Sequence, residues 1–351
     1  MDKCLVVPAA GRSRRFPNMK PKWMLTHPTG DLMIQHVLKP FDFSEFKNVY
    51  IVLTKHQCVN YDADVILNQI YGDKVNLVIL DSFTASCPET IYEFIRKENI
   101  TGHIVVKDCD CFVDYSTTHA CDNYIVGLNI NSKKNLNNLP AKSFVVRDRE
   151  EGIISDIVEK KVISEEICLG VYGCLIDDFL LSYDELITET NIQELYMSHV
   201  ISNLIINHDC IFQYIEAVDF KDWGTVDDWF SYTKKFKTYI LDIDGVFLEN
   251  VGKYGSKNWE NSFRPIDDNI TVLKKMSDEG NEIIFMTARD EKYVSRFREY
   301  LKDKNISYKT IITSCNHAQR IIVNDYAASN PYPSCESISI KRNGSLGDYL
   351  R

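Results

Sequence analysis

The sequence predicts an α/β protein of two domains, and three observations carry that prediction. Short apolar, β-branched runs alternate with helical patterns through residues 1–234. A second series of such runs begins in KTYILDIDGVFLEN, residues 237–250. Between the two series lies a charged, weakly apolar stretch, YTKKFK. The expected domains are therefore 1–234 and 235–351, each of ordinary single-domain size.

In chain order, residues 5–7, 49–53, 75–80, 104–106 and 124–128 read as strands, with helices at 33–38 and 90–95 between them. The alternation suggests a mostly parallel sheet. In the second domain the runs YILDIDGVF, IIFMTARD and RIIVNDYA repeat the pattern. No internal repeat or low-complexity segment interrupts either series.

Composition excludes several classes. The chain has 351 residues, 44% of them hydrophobic and 26% charged, the balance of a globular protein. No apolar run approaches the roughly 18 residues needed to cross a bilayer, so membrane insertion is not expected. Arg12, Arg14 and Arg15 follow the first apolar run instead of preceding it, unlike a secretory signal, and the expected address is the cytoplasm. A net charge of -10 argues against nucleic acid as a partner and makes the basic stretch 12–22 a local anion site. Eleven scattered cysteines suit buried thiols. Cys109-Asp110-Cys111 lacks a second ligand pair at zinc-finger spacing.

The chemistry-bearing segments follow. CLVVPAAGRSRRFPNMKPKWML (residues 4–25) ends a strand in Ala9-Ala10-Gly11, where backbone amides can approach an anion, and places cations after it. It lacks both the dinucleotide fingerprint and the Gly-Lys-Ser/Thr of a phosphate loop. TASCPETIY (84–92) reads as a Ser-capped helix start with proline in the first turn. HIVVKDCDCF ends a strand in Asp108 and Asp110, where open α/β sheets place their ligands. Hard carboxylate oxygens are the ligands that Mg2+ takes. AVDFKDWGTVDDW supplies a distant third carboxylate, Asp222. Glu159-Lys160 lies in IVEKKVISEEICLGVYGC, and NIQELYMSHVI (191–201) has a helical pattern with Glu194 and Ser198 on one face.

Together these segments resemble the sugar-phosphate nucleotidyltransferase family, whose loop runs Ala-Ala-Gly-x-Gly-x-Arg-Phe and then Pro-Lys. Here the residues are Ala9, Ala10, Gly11, Arg12, Ser13, Arg14, Arg15 and Phe16, then Pro21-Lys22; Ser13 replaces the second glycine. The resemblance implies a Rossmann-like mixed sheet for the first domain, in which Ala9, Ala10 and Gly11 wrap a nucleoside triphosphate while Arg15 and Lys22 stabilise phosphate charge as catalytic groups. It implies that Ser86, Cys87 and Glu89 lie near the base, and that Asp110 and Asp222 hold Mg2+. Glu159, Lys160 and Glu194 would meet the acceptor; a surface ion pair is the other reading of Glu159-Lys160. An acceptor phosphate oxygen would attack the α-phosphorus and release pyrophosphate without a protein nucleophile.

The second domain resembles the haloacid dehalogenase superfamily, with a Rossmann-like core and, from the short gap between its first two motifs, a minimal cap. The resemblance implies Asp242 as nucleophile, Asp244 as acid and base, Thr287 and the Ala288 amide as phosphoryl ligands, and Asn324 and Asp325 as Mg2+ ligands beside the two aspartates. The lysine expected before the last motif is missing from TSCNHAQR; Arg320 is the nearest cation and Lys309 the next. The expected whole is a bifunctional enzyme for surface polysaccharide precursors. It joins nucleotidyl transfer from a triphosphate, CTP favoured, onto a sugar or polyol phosphate to a phosphatase; a homo-oligomer is admitted. The rival readings are a nucleotide-regulated phosphatase and a transferase with an inactive second domain.

Overall fold

Alternation along the strands sets the core. In β1 (Lys3–Pro8) and β2 (Asn48–Thr54), Val6 and Val52 pack on one face with Phe94, while Leu5, Val7, Ile51 and Leu53 pack on the other with Trp23 and Leu38. A sheet covered on both faces needs near-continuous apolar strands, which is why residues 4–7 and 49–53 are almost wholly apolar. The computed structural model describes residues 3–116, 123–132, 136, 138–188, 194–252, 256–260, 263–325 and 335–350. The chain divides into two compact units, Met1–Ser231 and Tyr232–Arg351.

The first unit adds β3 (Asn76–Leu80), β4 (His103–Lys107), β5 (Cys111–Tyr115), β6 (Tyr124–Asn129), β7 (Ser143–Arg147), β8 (Ile154–Glu159), β9 (Glu166–Leu175) and β10 (Gln213–Asp222). The ten strands form one sheet in the order β3-β2-β1-β4-β9-β6-β10-β5, with β7 pairing β8 and β9. Strands β3, β2, β1 and β4 are parallel, as the alternation suggests. The rest is mixed: β9 is antiparallel to β4 and β6, and β5 to β10. The links from β7 to β8 and from β8 to β9 are too short for a parallel crossover, which needs a dozen residues or more.

The helix Cys87–Glu98 starts as its sequence indicates, with Ser86 Oγ accepting from Glu89 N–H at 3.2 Å, and ends at Asn99 in the left-handed region. The helix expected over 191–201 begins only at Met197. Tyr196 is extended, and its N–H donates to His199 Nδ1 at 3.2 Å. Glu194 therefore precedes the helix and shares no helix face with Ser198; residues 191–193 lie outside the described residues.

In the second unit β11 (Thr238–Leu241), β12 (Glu282–Met286) and β13 (Thr310–Ile312) form a parallel sheet in that order. The helices Asp267–Asp278 and Ser295–Asp303 link them, and Ile243, Phe247, Leu273, Phe285 and Phe297 form the core. The run around 320–325 is not a strand: Ile321 and Val323 are 79% and 90% exposed. β-Branched residues favour a strand only on a paired, half-buried surface, which this run lacks. No helix among the described residues is long and apolar enough to cross a membrane.

Candidate active site

After β1 the backbone groups of Ala9 are already used: its N–H donates to the Val52 carbonyl, and its own carbonyl accepts from Gln57 Nε2 at 2.8 Å. The Ala10 carbonyl accepts from Thr84 N–H, and Gly11 bridges Thr84, so the loop and the TASCPETIY segment lie side by side. Ser13 has φ +48°, a conformation that costs a non-glycine residue roughly 1–2 kcal/mol. The position thus has the geometry a glycine would take freely, and the serine contributes a hydroxyl instead. Ser13 Oγ accepts from Lys22 N–H at 3.2 Å and pins the Pro21-Lys22 turn to the loop.

From that anchor Lys22 Nζ reaches Asp110 Oδ2 at 2.5 Å, and Arg15 Nη2 stands 4.0 Å from the same oxygen. Asp110 sits in the turn between β4 and β5. The fully buried Lys107 ammonium holds this turn from beneath, donating to the carbonyls of Asp108 at 2.8 Å and Cys111 at 2.9 Å. Asp108 lies against Gly170, where a Cβ would stand 2.5 Å from its Oδ2; the glycine, at φ +72°, leaves room for the carboxylate. Cys109 and Cys111 are buried free thiols.

The end of β10 brings the remaining carboxylate. Trp223 N–H donates to the Asp110 carbonyl at 3.0 Å and Gly224 N–H to Asp222 Oδ1 at 3.1 Å. A Cβ on Gly224 would lie 3.2 Å from Asp222 Oδ1 and 3.5 Å from both Asp110 Oδ2 and Arg15 Nη1. Asp110, Asp222 and Arg15 thus converge on one glycine. Asp222 is ion-paired with Lys142. The next residue, Ser143, donates with Ser198 to Glu159 Oε2, the Ser198 bond measuring 2.7 Å. The Lys142 carbonyl accepts from Lys160 N–H at 3.0 Å. Lys160 Nζ bonds Tyr196 OH and stands 4.1 Å from that ring's centre, while Tyr196 OH donates to Glu194.

Electrostatics separates the two neighbouring aspartates. Burial pushes the Asp110 carboxyl up, but the Lys22 and Arg15 charges outweigh it and hold it well below the usual range. Asp108 is shifted up by burial and then by the Asp110 charge. Burial pulls the ammoniums of Lys22 and Lys142 down, yet the carboxylates they face keep both above the ordinary lysine value. Burial, with Asp108 beside it, pushes the Cys87 thiol up, so it is not an activated nucleophile.

Arg15, Lys22, Asp110 and Asp222 come together, and Glu159, Lys160 and Glu194 form a second group joined to them through Lys142 and Ser143. Cys87 Sγ reaches Asp108 Oδ1 at 3.9 Å. Ser86 and Glu89 instead close the helix start, with Glu89 Oε2 accepting from Ala85 N–H at 2.5 Å. Lys107, Lys142 and Ser143 are missed by sequence reasoning: a lone lysine at the end of one strand, or a Lys-Ser pair at the start of another, carries no local mark. Among the described residues no three His, Cys, Asp or Glu side chains gather as a metal cluster. The Asp110 and Asp222 pair nevertheless suits Mg2+, which takes one or two carboxylates and completes its shell with water and substrate phosphates.

In the second unit Asp242, Asp244 and Thr287 lie just past the ends of β11 and β12. Asp242 Oδ1 is 3.9 Å from Arg320 Nη2. Burial raises the Asp242 carboxyl, against the pull of the Ile243 N–H and of Arg320. Both oxygens of Asp244 are taken by Arg289, Nε to Oδ2 at 2.9 Å and Nη2 to Oδ1 at 2.6 Å. Arg289 is 2% exposed, and its N–H donates to Thr287 Oγ1 at 3.1 Å; Ala288 lies between the two. Asn324 and Asp325 sit on the exposed, non-strand stretch that follows Arg320. With Asp244 bound to Arg289, these residues as placed do not fit a Mg2+ centre.

No family model and no curated protein matches the chain. Solved structures do. In its amino-terminal part the chain has the mixed α/β fold of nucleotidyltransferases. One such structure is a nucleoside-diphosphate-sugar pyrophosphorylase from Vibrio cholerae RC9, at 21% identity over 66% of this chain and 99% of that one, with a TM-score of 0.55. Another is a UDP-glucose pyrophosphorylase complexed with UDP-glucose, at 17% identity over 67% and 97% of the two chains, with a TM-score of 0.50. At such identities the likeness is one of fold.

Proposed function

We propose that the amino-terminal unit transfers a nucleotidyl group from a nucleoside triphosphate, CTP favoured, to the phosphate of a sugar or polyol. The observation that carries this reading is the convergence of Asp110, Asp222 and Arg15 on Gly224, with Lys22 on Asp110. An acceptor phosphate oxygen forms a bond to the α-phosphorus as the bond to the bridging oxygen breaks, and pyrophosphate leaves with that electron pair. Asp110 and Asp222 would hold Mg2+, which when bound offsets triphosphate charge. Lys22 and Arg15 donate to phosphate oxygens whose charge grows during transfer. Glu159, oriented by Ser143 and Ser198, accepts from acceptor hydroxyls. The Cys87 thiol and the protein's carboxylates take no covalent part. Such a product suits the assembly of surface polysaccharide in the cytoplasm. The test is pyrophosphate release from four nucleoside triphosphates against a panel of sugar and polyol phosphates. Release should vanish in Asp110→Ala and Asp222→Ala with circular dichroism unchanged; no release from any wild-type pair would sink the proposal.

A second activity is proposed for the carboxy-terminal unit, favoured by the approach of Arg320 to Asp242. The Asp242 carboxylate attacks the phosphorus of a phosphate monoester, and the ester P–O bond breaks with its electron pair passing to the departing oxygen, which takes a proton from water and leaves as the alcohol. A second water then hydrolyses the aspartyl phosphate to free carboxylate and inorganic phosphate. Arg320 supplies the positive charge that the missing lysine would have carried. The Arg289 pairing of Asp244 does not support a proton-transfer role for that residue. Phosphate release by the full chain from the same panel, lost in Asp242→Asn and strongly reduced in Arg320→Ala, is the expected result. No release in any condition favours an inactive second unit.

A further inference from the structure

We infer that Lys142 is the cation that receives the acceptor's phosphate, an inference that rests on the nucleotidyl-transfer reading of the amino-terminal unit. Asp110, Asp222 and Arg15 mark where triphosphate charge is handled, because all three face Gly224. In-line attack brings the acceptor oxygen to about 3–3.5 Å from the α-phosphorus, so the acceptor's phosphate must lie beside those carboxylates. Two like-charged groups cannot meet there without a cation between them.

The described cations at this place divide by side. Arg15 and Lys22 come from the opening loop and meet Asp110. Lys142 comes from just ahead of β7 and meets Asp222. Its neighbour Ser143 bonds Glu159, and its carbonyl takes the Lys160 N–H, so its backbone is continuous with the acceptor side. Lys160, which the resemblance puts on the acceptor side, is exposed and held on the hydroxyl and ring of Tyr196. Lys142 is the inner cation, largely shielded from solvent, where an ammonium acts with less screening than at the surface. Its partner Asp222 is also the residue that the metal would engage, so one ammonium stands between metal ligand and acceptor.

The experiment compares Lys142→Met, Lys142→Gln, Lys142→Arg and Lys160→Met in the full chain. Inorganic phosphate, as probe for a phosphate monoester, is titrated calorimetrically into each protein with Mg2+ and, in turn, the α,β-methylene triphosphates of the four nucleosides. Phosphate should bind the wild type at least tenfold more tightly than Lys142→Met or Lys142→Gln. Lys142→Arg should recover to within about fivefold, and Lys160→Met should lose at least fivefold less than Lys142→Met. With an active acceptor pair, KM for the acceptor should rise at least tenfold in Lys142→Met while KM for the triphosphate stays within threefold. If the wild type releases no pyrophosphate with any pair, the transfer reading fails and the phosphate titration still judges Lys142. The glutamine variant stands in should the methionine variant not fold. Equal phosphate binding in wild type and Lys142→Gln, or no binding by the wild type, overturns the inference and leaves Lys142 as a counter-ion of Asp222 only.

Discussion

Ser13 Oγ accepts the Lys22 backbone N–H at 3.2 Å, although Ser13 itself sits at a φ of +48°. A residue in the left-handed region is kept there when its surroundings over-determine it. Here the hydroxyl ties the strained residue to the turn that delivers Lys22. Ser13→Ala retains the strain and loses the bond, so it should destabilise the first unit by about 1 kcal/mol and raise the triphosphate KM severalfold. Ser13→Gly relieves the strain and should be the milder of the two. Thermal melts and KM values for both variants check the order.

Lys22 is expected to act in the transition state more than in ground-state binding. Lys22→Ala should lower kcat by about 10²–10³, the loss typical of removing one charge-stabilising donor. The triphosphate KM should change far less. A variant whose KM alone rises would make Lys22 a uniform binding residue.

His27 makes the first unit acid-sensitive. Its ring lies against that of His36 with centroids 3.8 Å apart and the planes tilted by 31°, and Trp223 and Trp229 lie beyond. Burial first, then the His36 charge, lowers its pKa from 6.5 to about 4, against the pull of Asp31 and with Lys221 and Lys39 adding to the fall. The unfolded chain therefore binds a proton more readily than the folded one between those values. Stability is full above pH 6.5 and falls as pH drops toward 4. Melting temperature followed across that window should decline, with a shallower slope in His27→Asn.

Arg289 should be structural before it is anything else. It fills both oxygens of Asp244 in a bidentate pair, and removing it leaves a mostly buried carboxylate unpaired. Arg289→Met should cost the second unit about 3–5 kcal/mol. Arg289→Lys should recover little, because an ammonium cannot make the paired contact. Denaturant unfolding of the full chain, followed by a probe in the second unit, measures both; an unchanged midpoint in Arg289→Met would refute the assignment.

Local chemistry made much of this protein readable from residue order. The parallel strands β1 to β4 follow from apolar runs buried on two faces, and the Ser86 cap with Pro88 behind it starts a helix by satisfying its own backbone. The grouping of Arg15, Lys22, Asp110 and Asp222 was implied by the resemblance of their segments to the nucleotidyltransferase family, and no one segment carries it alone. Folding alone decided the rest. β9 lies between β4 and β6 and runs antiparallel to both, and period-2 patterning cannot report strand direction. The β-branched run at 321–323 has the composition of a strand but no ladder partner among the described residues, and it is exposed. Lys107 and Lys142 are unremarkable in the sequence; one becomes the buried strut of the aspartate turn and the other the partner of Asp222. A charged side chain takes its role from what surrounds it, and those surroundings come from distant parts of the chain.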